Sequence, residues 1–300
     1  MRLSVKQCFI LMLIPTCVAI STEKNLIWSL KPVSPNDHDL ALVSGDPAAI
    51  SGASAQVERI DLEGENAIYS VCSNYHAGVV YVADFKDRRY HQWDIGDNSY
   101  RTIHIGVGDS LQMTVDWSNE NLYWVDGFFG WIAMKSLDRS DQFDYKVLVE
   151  RDVDFPLAIA VDPKRGFLFW TEVGGTSLIK RASLGGASPQ VIVLDGLYEP
   201  RALTIDIATG RIYWVDRVKE TVEYCNSDGQ DRNVLRKMNS VEFFGIAHYK
   251  NFLFVTDQTY DEVLMLNSTS GAIVKRIDSD DGSPRSIAVY AEENQPALKS

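Results

Sequence analysis

Five copies of one short pattern recur along this chain at a nearly constant spacing. Each copy ends in an acidic residue, and the copies are YVAD at 81–84, YWVD at 123–126, FWTE at 169–172, YWVD at 213–216 and FVTD at 254–257. The final acidic residues are 42, 46, 44 and 41 positions apart. A period of about 40 to 50 residues indicates a repeat architecture, so the fold follows from what one unit forms.

Each copy has similar neighbours on both sides. A short apolar segment precedes it, as in PLAIAVD from Pro156 and PRALTID from Pro200. A second one follows and closes on a polar turn, as in IAMKSLD from Ile132, and VERIDLEG from Val57 fits the same place in a first unit that lacks the motif. The segments are rich in β-branched and aromatic residues and are separated by turn residues, which is typical of strands. Six such units predict an all-β fold, a six-bladed β-propeller.

Residues 22–300 are predicted to form this single domain. Ile27-Trp28 would replace the motif strand of blade one, and residues 286–290 would pair with this N-terminal strand, so that the ring closes and loses most unpaired sheet edges. Residues 30–55 are rich in Ser, Pro, Ala and Gly and are predicted to be a flexible insertion in blade one. The segment either lies over the channel mouth or is disordered.

The N-terminus and the charge bear on location and partner. Residues 1–21 read as a secretory signal, because Arg2 and Lys6 precede an apolar run too short to span a bilayer; an uncleaved anchor is the alternative. Without them, 27 basic residues face 41 acidic ones, a net charge of 27 − 41 = −14. This balance disfavours nucleic acid and direct membrane insertion. It favours a basic protein or peptide, although an acidic surface kept for solubility explains it equally well.

Cysteines, histidines and one sequon give weaker signals. Cys72 and Cys225 fall on opposite sides of a six-fold ring, so we predict two unpaired, buried thiols and no disulfide. No histidine has metal-ligand spacing, and neither a metal nor another cofactor is expected. Asn267-Ser268-Thr269 is a glycosylation sequon, which predicts an exposed loop at Asn267 in an exported chain.

The repeated motif resembles that of the low-density lipoprotein receptor class B, or YWTD, repeat family over about residues 25–296. The resemblance implies six blades in which the motif strand is the second. It also implies a "top" face that carries the loops between second and third strands and those from each fourth strand to the next blade, where ligands bind. Blade one lacks the motif, blades two and six lack its Trp, Glu172 replaces an Asp, and no cysteine-rich EGF-like module follows residues 294–296.

The motif residues are predicted to be framework. Tyr123 and Trp124 alternate sides of a strand, so each ring can fill the wedge between two blades. The carboxylates can accept backbone N–H groups, whereas acid–base catalysis or metal binding needs groups that converge on one atom. The framework residues are Asp84, Tyr123, Trp124, Asp126, Trp170, Glu172, Tyr213, Trp214, Asp216 and Asp257.

A ligand site is expected where the blades differ, in the top loops and at the starts of the first strands. GFFGW at 127–131 occurs only in blade three; its aromatic residues either contact a ligand or pack inward as loop anchors. The candidate ligand-binding residues are Phe128, Phe129, Phe155, Leu157, Glu199, Arg201, Glu242, Phe244, Tyr69, Asp109, Leu111 and Arg285.

The sequence thus predicts a secreted, monomeric, non-catalytic module that binds an extracellular protein or peptide on its top face. Two alternatives stay open. One is a propeller hydrolase or lactonase with a metal in the channel, and the other is an ectodomain fragment of a larger endocytic or Wnt-type co-receptor.

Overall fold

The computed structural model describes residues 25–31, 40–50, 57–60, 62, 67–106, 110–279 and 282–297. The predicted signal, residues 1–21, lies outside them. The described residues form six antiparallel four-stranded sheets, as the repeat predicts. In blades two to six the four strands are neighbours in sequence order, and in blade one a C-terminal strand takes the first place.

The strands are numbered along the chain. Blade one contains β1 (Asn25–Lys31), β2 (Leu40–Ser44) and β3 (Glu58–Ile60), and blade two contains β4 (Ile68–Asn74), β5 (Val79–Asp84), β6 (Arg89–Asp94) and β7 (Tyr100–Ile105). Blade three contains β8 (Ser110–Asp116), β9 (Asn121–Asp126), β10 (Trp131–Ser136) and β11 (Lys146–Val149). Blade four contains β12 (Pro156–Asp162), β13 (Phe167–Glu172), β14 (Leu178–Ser183) and β15 (Gln190–Val193). Blade five contains β16 (Pro200–Asp206), β17 (Arg211–Asp216), β18 (Thr221–Cys225) and β19 (Asn233–Lys237). Blade six contains β20 (Phe243–Tyr249), β21 (Phe252–Asp257), β22 (Glu262–Asn267) and β23 (Ile273–Asp278), and β24 (Ser283–Tyr290) completes blade one.

Contacts between first strands close the ring. Each first strand contacts the first strand of the following blade, and the last of them closes the circle by contacting the first of them in sequence, β4. The six strands are β4, β8, β12, β16, β20 and β24. β24 pairs with β1 from Asn25 opposite Tyr290 to Lys31 opposite Ser283. Blade one is therefore made from both ends of the described chain, which confirms the predicted pairing of residues 286–290 with the N-terminal strand.

The motif aromatics fill the wedges between blades. Trp214 packs in one cluster with Phe169 and Ile179 of the preceding blade. Tyr213, on the other side of the same strand, packs with Phe243 and residues of β21 in the following blade. The side-chain period of two in a strand thus sends the two rings to opposite neighbours, and each motif strand joins three blades.

The motif carboxylates tie the top loops to the strands. Asp216 Oδ1 accepts hydrogen bonds from the backbone N–H groups of Glu199 and Lys219 at 3.1 and 3.0 Å. Glu172 reaches further, since Trp170 Nε1 donates to its Oε1 at 2.7 Å and Lys180 Nζ lies 2.9 Å from the same oxygen. The side chain of Glu172, which is one methylene longer than the Asp of the other motifs, therefore pairs with the indole N–H of Trp170 and the ammonium group of Lys180.

Blade one corrects two sequence predictions. The segment 30–55 is not simply a flexible insertion, because Leu40–Ser44 forms β2, the third strand of the blade, and a 3-10 helix follows at Pro47–Ala49. Residues 58–60, which the sequence pattern assigns to the third strand, form the fourth. Leu40 to Val43 are all buried, so this strand shows no polar alternation by which it could be recognised. Residues 32–39 and 51–56 lie outside the described part of the chain.

Cys72 and Cys225 are both unpaired and buried, as predicted. Burial raises the pKa of the Cys225 thiol to about 12 and that of Cys72 still further, so neither is a reactive thiolate at neutral pH. Across the described ranges there is no helix with the length and apolar character needed to cross a membrane.

Candidate functional site

The top face consists of the loops between second and third strands and those that lead from each fourth strand to the next first strand. Twelve large apolar side chains are exposed among the described residues, and eight of them lie in these loops. The eight are Phe85, Phe128, Phe129, Phe155, Leu194, Tyr198, Val218 and Tyr260. Three valines lie on outer edge strands, and only Phe143 lies in a loop of the opposite, bottom face.

Phe128, Phe129 and Trp131 form an aromatic patch on the turn of blade three. Phe128 is 71% exposed and Phe129 41%, while Trp131 is half-buried. Phe129 stacks on Trp131 with ring centroids 4.4 Å apart and meets Phe128 edge-on at 4.8 Å. Asp126 Oδ1 accepts from the N–H groups of Phe128 and Phe129, both at 3.0 Å. The framework carboxylate thus fixes the turn while two of its rings face solvent.

At Gly130 the backbone of this turn packs closely against the loop that leads into blade four. Its φ is +67°, and a Cβ at this position would lie 2.8 Å from the carbonyl oxygen of Val153. In that adjacent loop Phe155 is 49% exposed. Phe155 has φ +49°, a conformation that costs a bulky residue about 1–3 kcal/mol and often marks functional positions.

A second group, the mouth cluster, lies where the first strands begin. It contains Tyr69, Glu199, Arg201, Glu242, Phe244 and Arg285. Arg201 Nη2 donates to the Tyr69 hydroxyl at 2.9 Å, and its guanidinium lies 4.4 Å from the Phe244 ring centroid. Tyr69 meets Phe244 edge-on at 5.2 Å, and the Arg285 guanidinium lies 5.3 Å from the Tyr69 ring. Side chains of blades one, two, five and six therefore meet at the top of the channel.

Glu199 is the anionic centre of the mouth cluster. Arg201 Nη1 donates to it at 2.7 Å, and Arg217 donates from Nε and Nη2 to its two oxygens at 2.8 and 2.7 Å. Burial alone would raise the pKa of Glu199, but these hydrogen bonds hold it below its ordinary value. Arg217 also bridges to Glu242 at 3.1 Å.

Two predicted ligand contacts are corrected by burial. Phe244 is 4% exposed because it lies beneath Arg201 and against Tyr69, and Leu157 is 7% exposed. Both shape the mouth from below and offer a ligand little surface. Asp109 and the side chain of Leu111 lie outside the described residues.

Several top-face residues were missed by the sequence analysis. Arg217 and Phe85 each follow a motif carboxylate directly, and Phe85 lies 5.8 Å from the Tyr69 ring. Comparing the residue after each motif across blades would have found both. Tyr198 and Tyr260 carry no such positional signal.

Below the mouth cluster the channel holds a cavity of about 680 Å³ that extends to the bottom face. First-strand residues line it, and the segment Glu293–Pro296 lies along its bottom end. Gln295 anchors this segment, since its Oε1 accepts from Tyr75 N at 2.7 Å. Over the described residues, no three His, Cys, Asp or Glu side chains are grouped so that they could hold a metal ion.

Asn267 ends β22 at the bottom face and is half-buried. Its Oδ1 accepts from Thr269 N and Ser270 N at 3.0 and 2.8 Å. Glycosylation there stays a prediction, and a glycan would stand on the face opposite the aromatic patch.

Because two histidines are buried, we expect acidification to lower the free energy of unfolding. Burial lowers the pKa of His104 and His248 below 6.5, although a hydrogen bond from His104 Nδ1 to the Gln142 carbonyl oxygen at 2.7 Å opposes the shift. The unfolded chain therefore binds protons near pH 6.5 that the folded chain accepts only at lower pH. The contribution of these histidines to the free energy of unfolding is therefore fully present above pH 6.5 and is lost as the pH falls below it.

Urea unfolding at pH 7.5 and 5.5 measures this effect. We expect a lower free energy of unfolding at pH 5.5 and a smaller difference between the two pH values in His104→Gln. An equal difference in both proteins would show that His104 does not contribute.

Comparison with known proteins agrees with this architecture. The family profile "Low-density lipoprotein receptor repeat class B" matches residues 120–163. The vitellogenin receptor Yl of Drosophila melanogaster is 30% identical over 201 residues, which are 67% of this chain and 10% of that receptor. The low-density lipoprotein receptor-related protein 5-like protein of Homo sapiens is 29% identical over 161 residues, 54% of this chain and 63% of that protein. The chain thus spans only part of either relative.

A solved structure shares the fold. One chain in a crystal structure of a nidogen/laminin complex has a TM-score of 0.79 at 18% identity, covering 89% of this chain and 98% of that chain. The matched profile, the repeated motif and the closed ring of six sheets lead to one assignment. The chain is a six-bladed β-propeller whose repeats match those of the low-density lipoprotein receptor class B (YWTD) type.

Proposed function

We propose that this propeller is a non-catalytic, extracellular receptor-type module that binds a protein or peptide on its top face. The observation that carries the proposal is the concentration of exposed apolar side chains there, eight of twelve among the described residues. Such groupings mark interaction surfaces when they are rimmed by polar residues, and here arginines and glutamates adjoin them.

The composition of the face supports a protein ligand. Aromatic residues and arginine dominate the energetic centres of protein interfaces. Phe128 and Phe129 are held on a turn fixed by Asp126, and the strained backbone holds Phe155 on the adjacent loop. Anchors that are already ordered lose little conformational freedom on binding.

The extracellular location rests on the relatives and on the N-terminal sequence. Both curated relatives carry receptor names, and residues 1–21 have the pattern of a secretory signal. A secreted propeller and an ectodomain of a larger receptor both fit, and we propose that the propeller itself acts as a monomer.

The placement of the motif carboxylates argues against the hydrolase alternative. The repeated carboxylates each serve a separate blade: Asp84 accepts from Lys86 N at 2.8 Å, and Asp257 accepts from Thr259 N at 2.9 Å. Their local turn contacts leave no pair positioned for joint acid–base work on one atom.

Replacing Phe128 and Phe155 together by alanine is expected to weaken ligand binding by tenfold or more. Aromatic hot spots contribute more than 1 kcal/mol each, and 1.4 kcal/mol corresponds to a factor of ten. Proteins captured from extracellular fluid by the immobilised propeller should be quantified by mass spectrometry for the parent and the double variant.

Phe143→Ala is the matched control, because Phe143 is 67% exposed but lies in the bottom loop after β10. A ligand recovered by the parent and by Phe143→Ala, and lost with the double variant, supports the proposal. Equal recovery by all three proteins would place binding elsewhere.

A further inference from the structure

In the part of the chain that the structure describes, the charged network at the channel mouth has one cation that lacks an anionic partner. Arg201 and Arg217 pair with Glu199, and Arg217 also pairs with Glu242. Among the described residues, no carboxylate lies within ion-pair distance of Arg285. Its Nε is buried without a hydrogen-bond partner, and so is the Nε of Arg201.

The surroundings hold Arg285 in place without neutralising it. Its carbonyl oxygen accepts from Thr256 Oγ1 at 2.7 Å, which fixes the start of β24. Its guanidinium lies against the Tyr69 ring, and the side chain is only partly exposed. Burial lowers the pKa of Arg285; Tyr69 opposes this shift and the nearby charge of Arg201 adds to it.

The three arginines and two glutamates joined in this network carry a net charge of 3 − 2 = +1. This local surplus occurs in a chain whose overall charge is −12. A guanidinium held partly out of water without an anionic partner is destabilising, and an incoming anion that hydrogen-bonds to it offsets that cost.

We propose that Arg285, supported by Arg201, binds a carboxylate group that the protein ligand inserts into the channel mouth, an aspartate or glutamate side chain. This inference rests on the proposed function and names the group that the ligand presents. A carboxylate is favoured over a phosphate because a single negative charge matches the surplus of +1, and a phosphate dianion would exceed it. The planar guanidinium fork also matches two carboxylate oxygens, and the Tyr69 ring keeps the pair partly desolvated.

The contact is specific because of its position. Tyr69, Arg201 and Arg285 are each the second or third residue of a first strand, on blades two, five and one. A group that reaches Arg285 therefore lies above the channel, among strands of several blades, while the aromatic patch contacts the ligand at one side. The central ion pair would set the register of the ligand, and the patch would supply apolar area.

The test uses the whole propeller and a small probe, N-acetyl-aspartate N-methylamide, with the asparagine analogue as its uncharged match. Arginine Nε–Hε resonances are followed by NMR during titration at pH 7, and the Arg285 signal is assigned by its loss in Arg285→Gln. We expect a saturable shift of this signal in the millimolar range with the aspartate probe, and at least tenfold weaker binding of the asparagine probe.

Arg139→Gln, in the bottom loop, is the control for a general loss of positive charge and should bind the probe as the parent does. Equal response to the two probes, or no saturable shift of the Arg285 signal, would overturn the inference and leave Arg285 as a cap stacked on Tyr69. Loss of captured ligand with the Phe128 and Phe155 double variant but not with Arg285→Gln would also refute the carboxylate site while sustaining the top-face function. Binding of the aspartate probe at Arg285, with no protein captured by the parent, would support the carboxylate site and contradict the proposed binding of a protein on the top face.

Discussion

Trp214→Ala is expected to lower the free energy of unfolding by about 3–5 kcal/mol. The indole is fully buried between blades four and five, and Arg232 lies 5.4 Å from its ring. A cavity there cannot close easily, because strands hydrogen-bonded on both sides fix the walls. Since domains are stable by about 5–15 kcal/mol in total, the loss is a large fraction of the whole. Urea unfolding of the purified variant measures it.

Trp131→Ala is the matched control, because the same side chain is removed from a half-buried position beside the solvent-exposed Phe129. Its cost is expected to be about 1 kcal/mol or less. If both variants lose the same stability, the motif indole has no special role in joining the blades. Trp214→Phe, which keeps a ring in the wedge, should lie between the parent and the alanine variant.

A chain that ends at Ser279 is expected to lose cooperative folding altogether. It lacks β24, which supplies the first strand of blade one and with it the buried side chains of Ile287, Val289 and Tyr290. Each contributes roughly 1.5–3 kcal/mol, and the exposed edges of β1 and of its neighbours add to the loss. Far-UV circular dichroism during urea unfolding, together with limited proteolysis, reports the result.

The matched control is a chain that ends at Ala297, which keeps β24 and the segment anchored by Gln295. It should unfold as the full chain does. A synthetic peptide of residues 280–297 added to the shorter chain should restore part of its protease resistance, because ring closure needs the strand and not its covalent link. Cooperative unfolding of the Ser279 chain at the parent's urea concentration would show that the ring is stable without the first strand of blade one.

The blades were predictable from sequence to the extent that each strand carries a pattern of its own. The motif strands such as β9 and β17 repeat in register, so their order and their inner neighbours could be assigned. β2 could not be assigned from the sequence, because its residues LALV are buried on both sides and lie among residues rich in Ser, Pro and Gly. Only its pairing with β1 and β3 identifies it as a strand, and that pairing is a tertiary property.

The candidate site was predictable in position but not in exposure. Alignment of the repeats placed Tyr69, Arg201 and Phe244 at equivalent points around the channel, and they do meet there. It could not show that Arg201 covers Phe244, since this depends on the length of side chains that cross the channel from other blades. The pairing of Arg217 with Glu199 was missed for the same reason.

The closure of blade one also fixes how the propeller can be attached to anything else. Asn25 pairs with Tyr290 at the bottom end of the sheet, so the chain enters β1 and leaves β24 on the same side of the ring. A neighbouring module, a solid support or a cell surface joined through either end would therefore hold the propeller from below. In each case the aromatic patch and the mouth cluster would point away from the attachment point, and the orientation of the binding surface is independent of which end carries the tether.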